Sequence, residues 1–345
     1  MRLIRLHDMV MIMKYGTIGT SFITNEFIES AKLVEGMVLT AVYSRNMEKG
    51  LTFSEKYGIE RVFTDLEEMA LSDIIDAVYI ASPNSLHYEQ SKLFLEHGRH
   101  VICEKPITVT SAQLKELIHL AKEKNVIYME AIKMLHLPAR PLLHEALKKI
   151  GNVTTARIDY SQLSSKYPAY LAGDVPNIFN PRFSTGCLMD LGIYCVYPVL
   201  DLFGSPDKII ATAGFLTTGA DGYGNSIFIY PDKQVNLSYS KIGQSSLGSE
   251  IIGDKGTIVI RSISTFTNIN IYYKDGTEEE LIGEIPRYVV MSGEVQSFYN
   301  YVTNPAEYRE DYQYAGELAI NVCEVMERIR EQAGIKFNQK TPLQK

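Results

Sequence analysis

The chain has 345 residues, 46% hydrophobic and 22% charged, with a net charge of −7. That length exceeds a single comfortable core and favours two domains. The acidic balance argues against nucleic acid or an anionic membrane as the main partner. The four cysteines (Cys103, Cys187, Cys195 and Cys323) lie far apart with no C-x-x-C spacing, so neither a zinc site nor a disulfide framework is indicated. They read as buried small hydrophobes of a cytoplasmic protein, and no metal is expected.

Met1 to Met13 carries Arg2 and Arg5, and its apolar residues are broken by Asp8. The run Met9 to Met13 is too short for a signal segment, and no stretch reaches the roughly 18 apolar residues of a membrane span. Residues 1–13 are therefore expected to be a poorly ordered leader, with Met13 a possible natural start. From Lys14 strand and helix alternate. Tyr15 to Ile18 reads as a strand ending in a glycine turn, followed by Phe22, Ile23, Phe27, Ile28, Ala31 and Leu33 at helical spacing. A strand at Met37 to Tyr43 and a helix from Glu48 to Tyr57 capped by Gly58 follow. Val62-Phe63 and Leu66 to Leu71 form a short strand and helix. Next come a strand Ala77 to Ala81, a helix Asn84 to His97 closed by Gly98, and a strand His100 to Cys103. Helix Ser111 to Lys124 and strand Val126 to Met129 complete the series. Strands apolar throughout and alternating with helices predict a parallel sheet covered on both faces, a doubly wound Rossmann domain over 14–130.

Beyond Pro138 the texture changes. A helix at Leu142 to Lys149 precedes strands with period-two alternation: Val235, Leu237 and Tyr239 against Asn236, Ser238 and Ser240, then Ile269 and Ile271 against Asn268 and Asn270. Turns at Asp232-Lys233, Gly253 to Gly256 and Asp275-Gly276 separate them. Helices near Tyr288 to Val302 and Tyr312 to Gln332 end the chain. The pattern predicts an α+β domain over 131–345 with a large open, mainly antiparallel sheet, its last helix packing back on the first domain.

Five motifs carry chemistry. Gly16-Thr17-Ile18-Gly19-Thr20-Ser21 stands between the first strand and first helix, where Gly19 can make the tight turn and the helix N-terminus can face a pyrophosphate. Ser21 and Thr24 stand where glycine or another small residue is usual, and a turn that merely needs glycine is the competing reading. The second strand ends Ser44-Arg45, with no acid between Met37 and Asn46 to take a ribose 2′-hydroxyl. Arg45 can face a 2′-phosphate with Ser44 as a second donor, or be a solvated helix-start arginine. In Ser82-Pro83-Asn84-Ser85-Leu86-His87, Asn84 suits a helix cap, and His87 suits a capping or packing role better than chemistry. Glu104-Lys105-Pro106 ends another strand, where ligands sit in open α/β sheets, and puts a cation beside a reacting group. Asp190 and Tyr194, four apart, share a helix face with Pro198 and Asp201 further along. They form either a substrate wall or a dipole-stabilised acid beside a core tyrosine.

In order and approximate spacing these motifs resemble the glucose–fructose oxidoreductase / inositol dehydrogenase / MocA (Gfo/Idh/MocA) family from Lys14 to Gln332. Tyr194, where many members carry histidine, resembles the branch of xylose and dimeric dihydrodiol dehydrogenases, mostly NADP enzymes. The resemblance implies an oxidoreductase moving a hydride between nicotinamide and a secondary alcohol or carbonyl of a sugar, polyol or related molecule. It implies a dinucleotide, NADP with NAD possible, held by Gly19, Thr20, Ser21, Phe22 and Ile23, by Ser44 and Arg45, by Ser82, Pro83, Asn84 and His87, and by Glu104 and Lys105. Tyr194 would be the general acid/base, Lys105 would lower its pKa, and Asp190 would hold the lysine or a second hydroxyl, with lysine and tyrosine able to exchange roles. Glu104 would contact the nicotinamide ribose. The resemblance also implies a homodimer or homotetramer through the second domain's sheet. Met134-Leu135-His136 departs from the more basic or aromatic stretch of many relatives, so the substrate pocket does not transfer. An NAD-dependent glycosidase and a non-catalytic dinucleotide-binding redox sensor are the alternative functions.

Overall fold

The computed structural model describes residues 10–337. Most of the expected leader, residues 1–9, lies outside them. Met13, expected in that leader, is instead the first residue of strand β1 (Met13–Ile18); it is fully buried and its N–H donates to the Gly36 carbonyl at 2.8 Å. The chain continues through α1 (Phe22–Ala31), β2 (Met37–Tyr43), α2 (Met47–Tyr57), β3 (Arg61–Phe63), α3 (Leu66–Leu71) and β4 (Ala77–Ile80). After them come α4 (His87–Glu96), β5 (His100–Glu104), α5 (Ser111–Lys124) and β6 (Tyr128–Ala131). All six strands pair parallel in the order β3-β2-β1-β4-β5-β6, the doubly wound arrangement whose crevice opens between β1 and β4.

Local chemistry fixes these boundaries. The Asn46 side chain accepts the Lys49 N–H to start α2, and Gly58, at φ 66°, ends it. Thr110 accepts from Gln113 at the start of α5. Ala77, Val78, Tyr79 and Ile80 are all buried, as a strand covered on both faces requires.

The second unit runs through α6 (Ala139–Lys149), β7 (Val153–Ser161), α7 (Tyr167–Leu171), a π-helical turn at Leu188–Gly192 and α8 (Ile193–Phe203). Strands β8 (Lys208–Phe215), β9 (Asp221–Ile229), β10 (Gln234–Ser240) and β11 (Ser249–Gly253) follow, then β12 (Gly256–Ser262), β13 (Thr267–Tyr273) and β14 (Glu278–Ile282). They make an eight-stranded sheet, β14-β13-β12-β11-β7-β10-β9-β8, antiparallel except where β7 and β10 pair parallel. Its inner face (Val235, Leu237, Tyr239 and their neighbours) packs on α6, α8 and the long α10 (Arg309–Ala333). Its outer face leaves Ile210, Tyr223 and Tyr272 exposed among the described residues.

Both closing helices return to the dinucleotide sheet. α9 (Arg287–Thr303) lies beside α1, burying Met291, Val295 and Phe298 against Phe27 and Tyr79. On the opposite face, with α3, α4 and α5, α10 contributes Ala319, and its Glu327 accepts from the Ser111 hydroxyl at 2.6 Å. Two shared helices brace the halves around the crevice.

Candidate active site

The first four motifs meet at the carboxyl edge of the parallel sheet because their strands are neighbours. Gly19 follows β1, Ser44 follows β2, Ser82 follows β4 and Lys105 follows β5. Gly19 has φ 108°, and a Cβ there would stand 2.9 Å from the Ala81 carbonyl oxygen, so only glycine keeps this turn. Ser21 takes the N-cap position of α1, yet its side chain accepts no capping hydrogen bond. The first-turn N–H groups, with a Ser21 hydroxyl whose side-chain partner is Thr24 Oγ1 at 3.4 Å, make a cradle that fits a pyrophosphate. Phe22 beside it is exposed and lies under the Arg287 guanidinium, 5.1 Å from the ring centroid.

Arg45 is exposed at the start of α2. The Ser44 hydroxyl donates to the Asn46 carbonyl at 2.8 Å, shaping the turn that leads into the helix. A 2′-phosphate here would meet both a guanidinium and a helix N-terminus.

Three expected cofactor contacts have protein partners in the structure. His87 is fully buried, with Nε2 2.8 Å from the Ser82 carbonyl and Nδ1 2.9 Å from the Pro106 carbonyl. It braces two crevice loops against each other and has no surface left for a ligand. Asn84 does not cap α4, whose N-cap is Leu86; it opens a 3-10 turn, and its amide nitrogen donates to the Ser184 carbonyl at 3.0 Å, tying the dinucleotide half to the second unit. Glu104 is turned inward, only 8% exposed, and accepts the Tyr79 hydroxyl at 2.6 Å. Burial raises its pKa, against the lowering by Lys105 and by the Tyr79 hydrogen bond.

Lys105, Asp190 and Tyr194 do come together. The Lys105 ammonium donates to Asp190 Oδ1 at 2.8 Å and to the Asp190 carbonyl at 2.9 Å, and stands 4.8 Å from the centroid of the Tyr194 ring. Asp190 lies inside the π-helical turn rather than on a regular α-helix. The wider turn offsets the helical ladder, a device frequent at functional sites, and here the Asp190 carbonyl accepts from a lysine. Asp221, fully buried on β9, accepts the Leu188 N–H at 2.7 Å and anchors this turn. Tyr160 meets Tyr194 edge-on, with centroids 5.4 Å apart.

Lys241, just beyond β10, belongs to the same cluster: its ammonium donates to Asp190 Oδ2 at 2.7 Å. No motif marks it in sequence, where it follows the polar end of an alternating strand. The one available signal was its register, since odd-numbered β10 residues face inward and Lys241 continues that parity.

Electrostatics follow from the geometry. Desolvation works against Asp190 ionising, but the two lysines outweigh it and hold its pKa well below the usual carboxylate range. Burial likewise disfavours the Lys105 charge, yet Asp190, Tyr194 and Glu104 keep that ammonium protonated far into alkali. For Tyr194 the expected lowering is reversed: the Lys105 charge acts in that direction, but burial is larger and raises the phenol. Both groups therefore carry protons at neutral pH. A glycine-turned dinucleotide cradle beside a lysine–carboxylate–phenol cluster defines a nicotinamide-dependent oxidoreductase.

Comparison with known proteins agrees. Residues 13–132 match the model of the oxidoreductase family with an NAD-binding Rossmann fold, and residues 144–259 match the GFO/IDH/MocA C-terminal domain. The chain is 40% identical over 326 residues to the scyllo-inositol 2-dehydrogenase (NADP(+)) IolU of Bacillus subtilis, covering 94% of this chain and 98% of that protein. It is 31% identical to a trans-1,2-dihydrobenzene-1,2-diol dehydrogenase of Xenopus laevis, covering 73% of this chain and 76% of the other. Its fold superposes on the 3-ketoreductase KijD10 of Actinomadura kijaniata, crystallised with NADP and TDP-benzene, with a TM-score of 0.80 at 20% identity, covering 93% and 98% of the two chains. The protein belongs to the Gfo/Idh/MocA family of oxidoreductases.

Proposed function

We propose that this protein is an NADP(H)-dependent dehydrogenase that interconverts a secondary alcohol and a ketone on a cyclic polyol or similar sugar-like molecule. The observation that carries this reading is the Lys105–Asp190–Tyr194 cluster at the mouth of the dinucleotide crevice. When bound, the nicotinamide supplies the hydride chemistry, and the chain supplies binding, orientation and proton handling. The α1 N-terminus with Gly19 and Ser21 would hold the pyrophosphate, and Arg45 the 2′-phosphate. Asp190 leaves 37% of its side chain accessible, enough to accept from a substrate hydroxyl, whereas Lys105 is only 12% accessible. Lys105 and Tyr194, both protonated at neutral pH, can each give a proton to a substrate carbonyl oxygen; alcohol oxidation requires one of them to be deprotonated first.

Likeness to a scyllo-inositol 2-dehydrogenase along nearly the whole chain supports a cyclic polyol. The outer face of the eight-stranded sheet supports a homo-oligomer, because Ile210, Tyr223 and Tyr272 are exposed on it. Among the described residues no helix is long and apolar enough to cross a membrane, and the four cysteines are free. A cytoplasmic location is part of the proposal, in keeping with cysteines that are left as free thiols. Incubating it with NADP and a panel of inositols, aldoses and dihydrodiols should give substrate-dependent growth of the reduced-nicotinamide absorbance with an inositol. No growth with any substrate would overturn the dehydrogenase reading; consumption of a glycoside without net reduced cofactor would replace it with a glycosidase.

A further inference from the structure

We propose that Lys241 is a positioning residue of the proposed hydride-transfer site, fixing the Asp190 carboxylate so that Asp190 in turn aims Lys105. The chain leaves β10 at Ser240, and two backbone hydrogen bonds hold Lys241: its N–H donates to the Gly222 carbonyl and its carbonyl accepts from Ser164, each at 2.9 Å. Its side chain is only 2% accessible. The ammonium stands 5.5 Å from the centroid of Phe179, a fully buried ring packed against Tyr170. A substrate cannot reach it.

What it does reach is one oxygen of Asp190. Lys105 takes Oδ1 at 2.8 Å and Lys241 takes Oδ2 at 2.7 Å, so a separate cation holds each carboxylate oxygen and the group cannot turn. Neutralising Asp190 requires one lysine only. A second buried ammonium costs desolvation, and an apolar side chain among Phe179 and its neighbours would pack without that cost. The arrangement is explained if the orientation of Asp190 is what matters, because the same carboxylate and its own carbonyl together hold the Lys105 ammonium.

Titratable groups on the segments around this turn do not supply this hold. Tyr194 and Cys195 follow on α8, Cys187 precedes the turn, Asp159 and Tyr160 come from β7, Asp221 from β9 and Glu104 from β5. None of them is a cation. Without Lys241, Asp190 loses one of the two charges that depress its pKa while keeping its desolvation. Its pKa must then rise, so that protonation, and with it release of Lys105, sets in at a less acidic pH than in the wild type.

The test uses the full chain with Lys241→Met and Lys241→Arg. In the protein without substrate, the infrared band of a protonated carboxyl, assigned by difference against Asp190→Asn, should appear at a pH higher by roughly 1–3 units in Lys241→Met. The acid limb of its kcat/KM profile should move up by the same amount. Its kcat should fall about a hundredfold, the scale of a slightly misplaced catalytic group. NADPH affinity, read by cofactor fluorescence, should be unchanged, and Lys241→Arg should restore the acid limb. Should the methionine variant not fold, Lys241→Gln, which keeps a donor but no charge, carries the same expectation. An Asp190 carboxyl that titrates at the same pH in wild type and variant overturns the proposal. That readout needs no turnover, so an enzyme that oxidises no polyol would sink the functional reading while leaving the role of Lys241 to be decided.

Discussion

Arg45 shows how far one residue can be read without coordinates. Its position after the second strand, with no acid nearby, suits either a phosphate contact or a solvated helix start, and its exposure at the start of α2 fits both. A charge-assisted contact of this kind contributes about 1.5–3 kcal/mol. Arg45→Ala should therefore weaken NADP binding far more than NAD binding, measured as separate dissociation constants; equal losses would remove the phosphate role. Lys105, Asp190 and Tyr194 were also legible, since each sits in a motif of fixed spacing. Their electrostatics were not, because only burial decides that the Tyr194 pKa rises despite the lysine beside it. A proton held this firmly must be lost before alcohol oxidation, so oxidation by this enzyme should accelerate towards alkaline pH while ketone reduction stays level around neutrality. If Lys105 and Tyr194 act as one unit, Lys105→Met and Tyr194→Phe should each cost several orders of magnitude in kcat, and the double variant little more. Near-full turnover in Tyr194→Phe would show a packing tyrosine instead.

At the scale of elements, the alternation of strand and helix over the first 130 residues was legible because the buried strands are mostly apolar and several helices carry a side-chain cap or a glycine stop. Leu66–Leu71 and Ser111–Lys124 have the bounds their spacing predicts. Two misreadings have one cause, a long-range partner overriding a local signal. Asn84 has the chemistry of a cap, but the Ser184 carbonyl from the second unit takes its amide. Asp190 and Tyr194 have regular helical spacing, but Asp221 from β9 anchors a π-helical turn that contains Asp190, with Tyr194 following on α8. The second sheet was legible only where alternation is clean, as in β10. Strands β8 and β9 carry Ile210 and Tyr223 on their uncovered face, which blurs the period-two pattern. That blurring is itself informative. A face with exposed Ile210, Tyr223 and Tyr272 is less polar than Asn236 and Ser238 alone suggest.

For the whole molecule, that uncovered face predicts a homo-oligomer at micromolar concentration by sedimentation velocity, and a charged replacement such as Ile210→Asp should shift it towards monomer; a wild-type monomer would refute the assignment. Cohesion between the halves leads to a second prediction. Glu130, at the end of β6, is buried where the two units meet: Oε1 accepts the Ile107 N–H at 2.8 Å and Oε2 accepts the Tyr197 hydroxyl from α8. Two small cavities touch it, one walled by Met189 and Ile193, the other by Leu135 and Tyr312. Burial is the largest influence on its carboxyl and lifts the pKa from 4.5 to about 7, against the lowering from its two donors. The folded state therefore binds the Glu130 proton more tightly than the unfolded chain does. Its stabilising contribution is complete below pH 4.5 and is lost as pH rises through about 7. Glu130→Gln keeps an acceptor for Ile107 and cannot ionise. Whatever its packing cost, its stability relative to wild type should improve between pH 5 and 7, by up to about 1.4 kcal/mol per pH unit for one proton. Urea unfolding of both proteins across that range measures the difference directly. A constant difference would mean that Glu130 is already ionised within the fold, and that the Ile107 and Tyr197 hydrogen bonds outweigh its burial.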